Sequence, residues 1–358
     1  MSGLRALSSI EIGRVSLTER ALFAKHLAIM LRSGLTLTEA LSVARDASRG
    51  KLRSVIGAVL TAAERGRPLS AALGDHPHVF PRFFVEAIRA GEASGTLSEN
   101  LENVAVALEK EKELVMKVRG AMMYPMVVLA AALLLGLGVA FFILPKIIPL
   151  FEGLRVNLPL STRVLIAFSH VVDDYGLWLF GGVIAGVVAL IILLRSAFLR
   201  PVVHSLILRL PVVGPIVRGS NLVRMTRTLG MLLKGGLPVD EAIAITRDAA
   251  SNVHFRSALG AVAERVSKGA KLSEGLAEYP KLFPVIVSRM VGVGEESGRF
   301  EDTLFYLAHF YEAEVDNATK NLATAIEPLL LLLIGIVVGG LALAIITPIY
   351  EITGNIQR

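Results

Sequence analysis

The sequence predicts an all-α membrane protein in which two repeated cytoplasmic helical-bundle modules are joined to three transmembrane helices. Three observations predict this class: long stretches without charge, a duplication that relates two parts of the chain, and helical spacing with capping patterns between the stretches. The composition agrees, because 53% of the 358 residues are hydrophobic and the mean hydropathy is +0.62. An ordinary soluble protein of this length is less apolar.

Three stretches contain no charged residue, and each is 19 to 24 residues long. A helix rises about 1.5 Å per residue, so each stretch can cross a hydrocarbon core about 30 Å thick. Buried helices of a large globular core are the alternative, but such stretches have no polar face to turn toward water. The sequence therefore predicts transmembrane helices at 121–144, 176–194 and 326–347, the last made of the charge-free stretch 328–347 and the two residues before it.

The distribution of basic residues predicts the orientation of these spans. Residues 1–120 hold 17 Lys and Arg and residues 195–325 hold 16, whereas residues 145–175 hold three. Because basic residues accumulate on the cytoplasmic side, both polar regions are expected inside the cell. The predicted order is a short N-terminal segment 1–17, cytoplasmic module 18–120, the first span, external loop 145–175, the second span, cytoplasmic module 195–325, the third span and external tail 348–358. The first twenty residues lack an apolar core, so no cleaved signal peptide is expected.

The duplication is clearest in the phrase "AGEASG" at 90–95, which returns as "VGEESG" at 293–298. Matching landmarks lie 202 residues apart near residue 40 and 203 apart from Leu69 onward, as a single inserted residue would leave. Each repeat ends in a span that runs in the same direction. The second span has no counterpart and returns the chain to the cytoplasm, unlike the inverted repeats of many transporters.

Within the first module, Leu22, Leu27, Met30 and Leu31 are spaced to lie on one face of a helix that ends at Gly34. A capping-box pattern, "TLTE", opens the next helix. The pattern from residue 96 predicts one long helix that continues into the first span.

The repeated phrase allows two interpretations. Glycines on both sides of a short polar insert favour a tight turn between helices, with positive φ and close packing. Alternatively, the two glutamates lie on an exposed turn and contact a partner or a second subunit, since loops held by rigid helices often carry recognition. The candidate interface residues are Gly91, Glu92, Gly95, Gly294, Glu295 and Gly298.

Two further sets of residues are candidates for a structural role in the membrane. Tyr124 and Pro125 lie near the membrane boundary of the first span, and Glu327 and Pro328 take the equivalent place in the third. A kink is expected near Pro125. Ionisable groups at membrane depth often have a function, but a carboxylate at a helix N-terminus that faces the headgroups is also electrostatically favourable. Small residues four apart permit close helix packing at Gly136, Gly182, Gly186, Gly335 and Gly339.

No pattern in the sequence indicates catalysis. The chain has no cysteine, which excludes disulfides and thiolate chemistry, and it lacks the metalloprotease, nucleophile-elbow and phosphate-loop motifs. Acidic clusters at 109–113 and 312–316 are better interpreted as solvated helix faces than as metal sites. We therefore expect no enzyme activity, cofactor or metal. Nucleic-acid binding is not expected either, because basic and aromatic residues do not alternate as they do in proteins that bind nucleic acids.

The chain resembles the polytopic inner-membrane platform protein shared by type II secretion systems and type IV pilus machines. The resemblance covers about residues 18–352 and is carried by "KVRGAMMYPMVV" from Lys117, "ILP" at 143–145, the two GE-x-SG phrases and "IEPLLLLLIGIVVGG" from Ile326. Many members carry a further N-terminal cytoplasmic segment, whereas about twenty residues precede the first module here.

The resemblance implies a non-catalytic protein of the inner membrane. It implies contacts with a hexameric secretion or assembly ATPase, pilin or pseudopilin subunits, other inner-membrane assembly components and the lipid bilayer, and a dimer or higher oligomer. A small-molecule transporter is the rival, but the spans contain no charge and no Asn, Gln or His in their apolar cores. A membrane enzyme would need a motif that is missing. The resemblance covers pilus systems and secretion systems alike.

Overall fold

The computed structural model describes residues 15–138, 199–211 and 213–356, with isolated positions between 175 and 196. These residues are almost entirely helical and contain no strand, so the predicted all-α class is confirmed. The chain forms two compact units. The first unit combines Met1–Lys117 with His204–Ala318, and the second combines Val118–Val203 with Thr319–Arg358.

The described part of the first repeat, residues 15–138, forms six helices. They are α1 (Leu17–Arg32), α2 (Leu37–Ala47), α3 (Gly50–Glu64), α4 (Leu69–Gly74), α5 (Arg82–Ser94) and α6 (Leu97–Gly138).

From residue 199 onward, the described residues form seven helices. They are α7 (Arg200–Arg209), α8 (Val213–Lys234), α9 (Val239–Ala249), α10 (Val253–Ser267), α11 (Leu272–Ala277), α12 (Val285–Ser297) and α13 (Phe300–Ile356). Helices α8 to α13 repeat the order of α1 to α6, so each module is a bundle of the same design.

Local sequence signals fix the first helix boundaries. Thr36 and Glu39 form the predicted capping box at the start of α2, in which each side chain bonds the backbone N–H of the other residue. Gly34 follows α1 with φ of 90°, where a residue with a side chain would be strained. Both predictions are confirmed, because short-range geometry decides them.

The core of each module contains phenylalanines. In the first module Phe23, Phe80 and Phe84 pack with ring centroids 5.0 to 6.5 Å apart. Phe255 and Phe283 form an edge-to-face pair in the second module. The predicted inward face of α1 was partly wrong, since Leu22 is exposed. The buried residues of this helix are Ala21, Phe23, Ala24, Leu27 and Ala28.

Two described helices, α6 and α13, are long and apolar enough to cross a membrane. They contain residues 121–138 of the first predicted span and all of the third. Helices α7 and α8 would reach that length only as one segment bent by 110°. We assign α8 to the second module, because most of its residues from Leu222 to Leu233 are buried in the first unit. The second predicted span, 176–194, the external loop and most of segment 1–17 lie largely outside the described residues.

Candidate functional site

The repeated GE-x-SG phrase ends the fifth helix of each module. Glu92 lies in the last turn of α5 and Glu295 in the last turn of α12. Gly95 and Gly298 follow these helices with φ of 73° and 69°, the left-handed conformation that glycine adopts without strain. The second glycine of the phrase is therefore a helix C-cap in both modules.

Both glutamates cap the N-terminus of a helix that lies 22 to 23 residues earlier in the chain. The Glu295 carboxylate accepts hydrogen bonds from the backbone N–H groups of Leu272, at 2.7 Å, and Ser273, at 3.1 Å, and from the Ser273 hydroxyl. These groups begin α11, where Lys271 at the N-cap position offers no side-chain acceptor. A carboxylate at this position satisfies N–H groups that have no partner inside the helix.

The first module repeats this arrangement. Glu92 accepts hydrogen bonds from the backbone N–H groups of Leu69 and Ser70 and from the Ser70 hydroxyl. These residues begin α4 after Pro68, which also has no side chain that could cap the helix. Each module therefore joins its fourth and fifth helices through one carboxylate.

The first glycine of the phrase permits close helix packing. A Cβ atom on Gly91 would lie 3.0 Å from the Asn100 Cβ atom and from the Leu97 backbone. A Cβ atom on Gly294 would lie 2.9 Å from the Thr303 Oγ1 atom. Glycine is required here because the fifth and sixth helices approach within contact distance of the backbone.

These contacts correct one expectation. The partner-contact interpretation placed Glu92 and Glu295 on an exposed turn, whereas both are half-buried in helices and bonded to their own modules. The expected positive φ and close packing are present, but at different glycines of the phrase. A direct partner contact through these carboxylates remains a prediction.

The second candidate feature is the interface between the two modules, which the sequence did not predict. Helix α5 of the first module packs against α8 and α9 of the second. Among the described residues, four ion pairs join the two modules. In the two shortest, Arg82 contacts Asp248 at 2.6 Å and Arg224 contacts Glu111 at 2.6 Å. Both modules therefore belong to one unit.

A cleft of about 230 Å³ lies at this interface. Phe83, Glu111 and Arg224 line it, together with Arg20 and Asp248. Burial would raise the pKa of Asp248, but hydrogen bonds from Arg247 and Arg82 outweigh it and hold the pKa below its ordinary value. Burial lowers the pKa of Arg20, and the charge of Glu111 partly offsets this effect.

The acidic clusters on α6 and α13 form ion pairs. Glu109 pairs with Lys25 at 2.8 Å, and Glu312 occupies the equivalent place with Arg227. Asp316 lies 3.7 Å from Lys117. The clusters thus link the long helices to their neighbours. Among the residues that the structure describes, no group of three His, Asp or Glu side chains is placed to hold a metal ion.

The membrane-boundary candidates lie inside long helices. Tyr124 is exposed and Pro125 is buried within α6, while Glu327 and Pro328 are exposed within α13. The expectation that Glu327 begins a helix was wrong, because α13 starts at Phe300. Because α6 begins at Leu97 and α13 at Phe300, each apolar stretch continues a helix that began in a module. Pro125 and Pro328 lie inside these helices, where a proline has no N–H to give the carbonyl four residues earlier.

The candidate packing glycines have no close neighbour among the described residues. Apart from the neighbouring backbone of its own helix, a Cβ atom built on Gly136, Gly182, Gly186, Gly335 or Gly339 meets no described atom within 4 Å. Their role in helix packing therefore remains a prediction.

The module interface left a signal in the sequence that only the structure makes readable. Gly235 packs so tightly against α6 that a Cβ atom on it would lie 2.5 Å from the Asn100 Oδ1 atom. The equivalent residue of the first repeat is Ser33. A glycine in one repeat and a larger residue in the other marks where the two modules have different neighbours.

Comparison with known families locates the duplication independently. The family described as "Type II secretion system (T2SS), protein F" matches the chain twice, over residues 23–145 and 225–348. These segments begin 202 residues apart and end 203 apart, the offsets found within the sequence. The predicted duplication is confirmed, and each match covers a module together with an apolar stretch.

Relatives in both kinds of machine are similar along nearly the whole chain. The type IV pilus assembly protein PilC of Thermus thermophilus is 38% identical over 95% of this chain and 84% of its own length. PilC of Myxococcus xanthus is 33% identical over 94% and 80%. The type II secretion system protein F of Xanthomonas campestris is 34% identical over 93% and 82%. This chain belongs to the type II secretion system protein F family.

Proposed function

We propose that this chain is the inner-membrane platform of a type II secretion or type IV pilus machine. The observation that carries the proposal is the double family match, in which each copy combines a helical module with a charge-free stretch. Relatives named for pilus assembly and for secretion are both similar to the chain, so the proposal covers both machines.

The finer part of the proposal concerns the partners. The cytoplasmic modules engage a hexameric ATPase, and the membrane part meets pilin or pseudopilin subunits and other inner-membrane components. The protein itself performs no catalysis. Helices α6 and α13 support a mechanical role, because each begins in a module and continues through apolar sequence. A displacement of either module therefore acts directly on the backbone of a span.

The orientation proposed is multi-pass, with both modules in the cytoplasm. It rests on the basic residues of 1–120 and 195–325. The chain has no cysteine, so a single Thr61→Cys variant gives one labelling site on an exposed position of α3. A membrane-impermeant maleimide should label it only after the inner membrane is permeabilised. Labelling in intact spheroplasts would overturn the orientation.

The glutamates of the GE-x-SG phrase have an indirect role in partner binding. Because Glu92 and Glu295 already bond backbone N–H groups, we infer that they shape a partner surface by fixing α4 and α11. Replacing both with glutamine should weaken recovery of the ATPase. Replacement of Glu296, an exposed neighbour bonded only to Lys271 among the residues described, should leave recovery unchanged. Equal recovery with the double variant and wild type would contradict this role.

Affinity purification of the tagged protein from its own membranes in mild detergent tests the function. Mass spectrometry of the co-purifying proteins should identify a hexameric secretion ATPase and pilin-like subunits, which an untagged strain should not yield. The identity of the subunits would distinguish a pilus from a secretion system. Recovery of a solute-binding protein or transport ATPase instead would favour a transporter.

A further inference from the structure

The two modules contact each other through different faces. The first module contributes a docking face from α5 and α6, and the second contributes a receiving face from α8 and α9. The docking face is defined by Phe83, Asn100, Asn103 and Ala107. The receiving face is defined by Arg224, Thr228, Met231, Gly235 and Ile245.

The duplication gives the first module a receiving face of its own, which is exposed in the part of the chain that the structure describes. Met231 and Ile245 are 1% and 0% exposed, whereas their equivalents Ile29 and Val43 are 53% and 51% exposed. Exposure differs in the same way at the next pair of equivalent residues, because Thr228 is buried and His26 is exposed. The receiving face of the first module consists of Leu22, His26, Ile29, Ser33 and Val43.

The second module likewise has an open docking face. Tyr306, at the position equivalent to Asn103, is 57% exposed, and Phe310, equivalent to Ala107, is 40% exposed. Ile286, equivalent to Phe83, is 48% exposed. The docking face of the second module consists of Ile286, Thr303, Tyr306 and Phe310. Large apolar side chains are thus exposed where the other repeat has smaller or covered ones.

The differences in exposure follow helical spacing. On the fifth helices, the positions that are more covered in the first repeat are 83, 86, 87 and 90. Their equivalents, 286, 289, 290 and 293, are all more exposed. Positions spaced by three and four lie on one side of a helix. One whole helix face is therefore covered in one repeat and uncovered in the other.

We infer that a second copy of this chain covers these faces, with the docking face of one chain's second module on the receiving face of the other chain's first module. The contact inside each chain supplies the template, since both partners are repeats of the modules that already bind each other. Docking in one direction uses one face of each kind and leaves one of each kind open. Such heterologous contacts join copies into a ring or an open chain.

One ion pair of the contact inside the chain is also available between two copies. The pairs Arg82–Asp248 and Arg224–Glu111 are not, because their equivalents are Val285 with Asp46 and Leu22 with Glu314. Within the chain, Lys234 of the second module lies 3.9 Å from Glu99 of the first. The equivalents are Arg32 on the open receiving side and Asp302 on the open docking side, so both signs are kept. Arg32 and Asp302 now pair with Glu102 and Arg299, and these pairs are exposed. Exposed pairs exchange partners at little cost.

Disulfide cross-linking tests the inference directly. Because Gly235 and Asn100 touch, their equivalents Ser33 and Thr303 should lie within disulfide reach across two copies. The chain has no cysteine, so Ser33→Cys and Thr303→Cys can be placed on two differently tagged copies of the full chain in membranes. Mild oxidation should join the two tags. Oxidation of either variant expressed alone should give no dimer.

The control replaces Ser33→Cys with Thr61→Cys, an exposed position on α3 outside both faces. Cross-linking of Ser33→Cys no stronger than that of Thr61→Cys would overturn the inference. Dimers formed by one variant alone would overturn it too, because they indicate a symmetric contact. Thr303→Cys joined only to a different protein would show that another partner occupies the docking face.

Charge reversal provides a second, independent test. Arg32→Glu and Asp302→Arg should each weaken self-association in detergent about two- to five-fold, measured by mass photometry, and the two together should restore it. Arg67→Glu is the matched control, since it breaks an exposed pair with Asp75 outside both faces. If the two reversals add instead of compensating, the proposed pairing is wrong.

Discussion

The carboxylate of Glu295 offers the sharpest test of how the repeated phrase works. Replacing Glu295 with glutamine keeps the length of the side chain and one acceptor oxygen, but removes the charge and one acceptor. The change should therefore weaken the start of α11 without creating a cavity. Because the same carboxylate joins α12 to α11, the loss should appear as lower stability of the second module.

The magnitude follows from the contacts. Glu295 accepts hydrogen bonds from two backbone N–H groups and one hydroxyl. A hydrogen bond to a charged group contributes about 1.5 to 3 kcal/mol, and negative charge at a helix N-terminus adds about 0.3 to 1 kcal/mol. Since Glu295 is half-buried and water can replace part of the loss, we expect Glu295→Gln to cost about 2 kcal/mol and Glu295→Ala about 3 kcal/mol.

Thermal unfolding of the full chain in detergent measures this effect. A unit of this size loses about 2 to 4 °C in Tm per kcal/mol, so Glu295→Gln should lower Tm by about 4 to 8 °C. Glu296→Gln is the matched control, because Glu296 is the next residue and forms an exposed pair with Lys271. It should lower Tm by about 2 °C or less.

Equal melting of the Glu295 and Glu296 variants would refute the capping role. The exposed-turn interpretation would then regain support, because the carboxylate would be free to serve a partner. Ser273→Ala provides an intermediate case, since it removes the hydroxyl contact and leaves both N–H contacts in place.

Three further predictions concern the module interface and the core. Gly235→Ala should destabilise the first unit by about 1 to 3 kcal/mol through its clash with Asn100, and Asn100→Ala in the same chain should recover part of the loss in thermal unfolding. The lowered pKa of Asp248 means that its charged contacts with Arg247 and Arg82 stabilise the fold above the ordinary pKa of 3.8, and this stabilisation is lost as the pH falls through the lower folded value. Wild type should therefore lose more Tm than Asp248→Asn between pH 6 and 3. Phe84→Ala should cost about 3 to 5 kcal/mol, because it empties the centre of the phenylalanine cluster.

Each of these predictions has its own check. Ser33→Ala, at the position equivalent to Gly235, shortens an exposed side chain and should have little effect on the stability of the unit. If Asp248→Asn follows wild type throughout the acid range, the charged contacts of Asp248 with Arg247 and Arg82 do not contribute to stability. If Phe84→Ala melts within 1 °C of wild type, the cluster is not a central part of the core.

Local and periodic features were predictable from the sequence. The capping box at Thr36 and the left-handed glycine at Gly34 depend on residues within one turn of each other, so their sequence is sufficient. The duplication was readable because corresponding landmarks keep an almost constant offset. Charge-free stretches long enough to cross a bilayer needed no tertiary information.

The role of the glutamates in the phrase was not predictable in the same way. Glu295 bonds Ser273, 22 residues away, and such a contact depends on how two helices meet. The exposure of Leu22 was wrongly predicted for a related reason, since helical spacing shows which residues share a face but not what that face meets.

The sequence by itself determined the helical class, the repeated module, the charge-free stretches and the family resemblance, because each depends on composition, spacing or identity along the chain. Only the tertiary structure decided that the two modules contact each other through different faces, and that equivalent faces of the two repeats differ in burial. The physical reason is that duplication copies residues, whereas burial depends on the neighbour. Ile245 is 0% exposed and Val43 is 51% exposed, although both occupy the same place in the repeat.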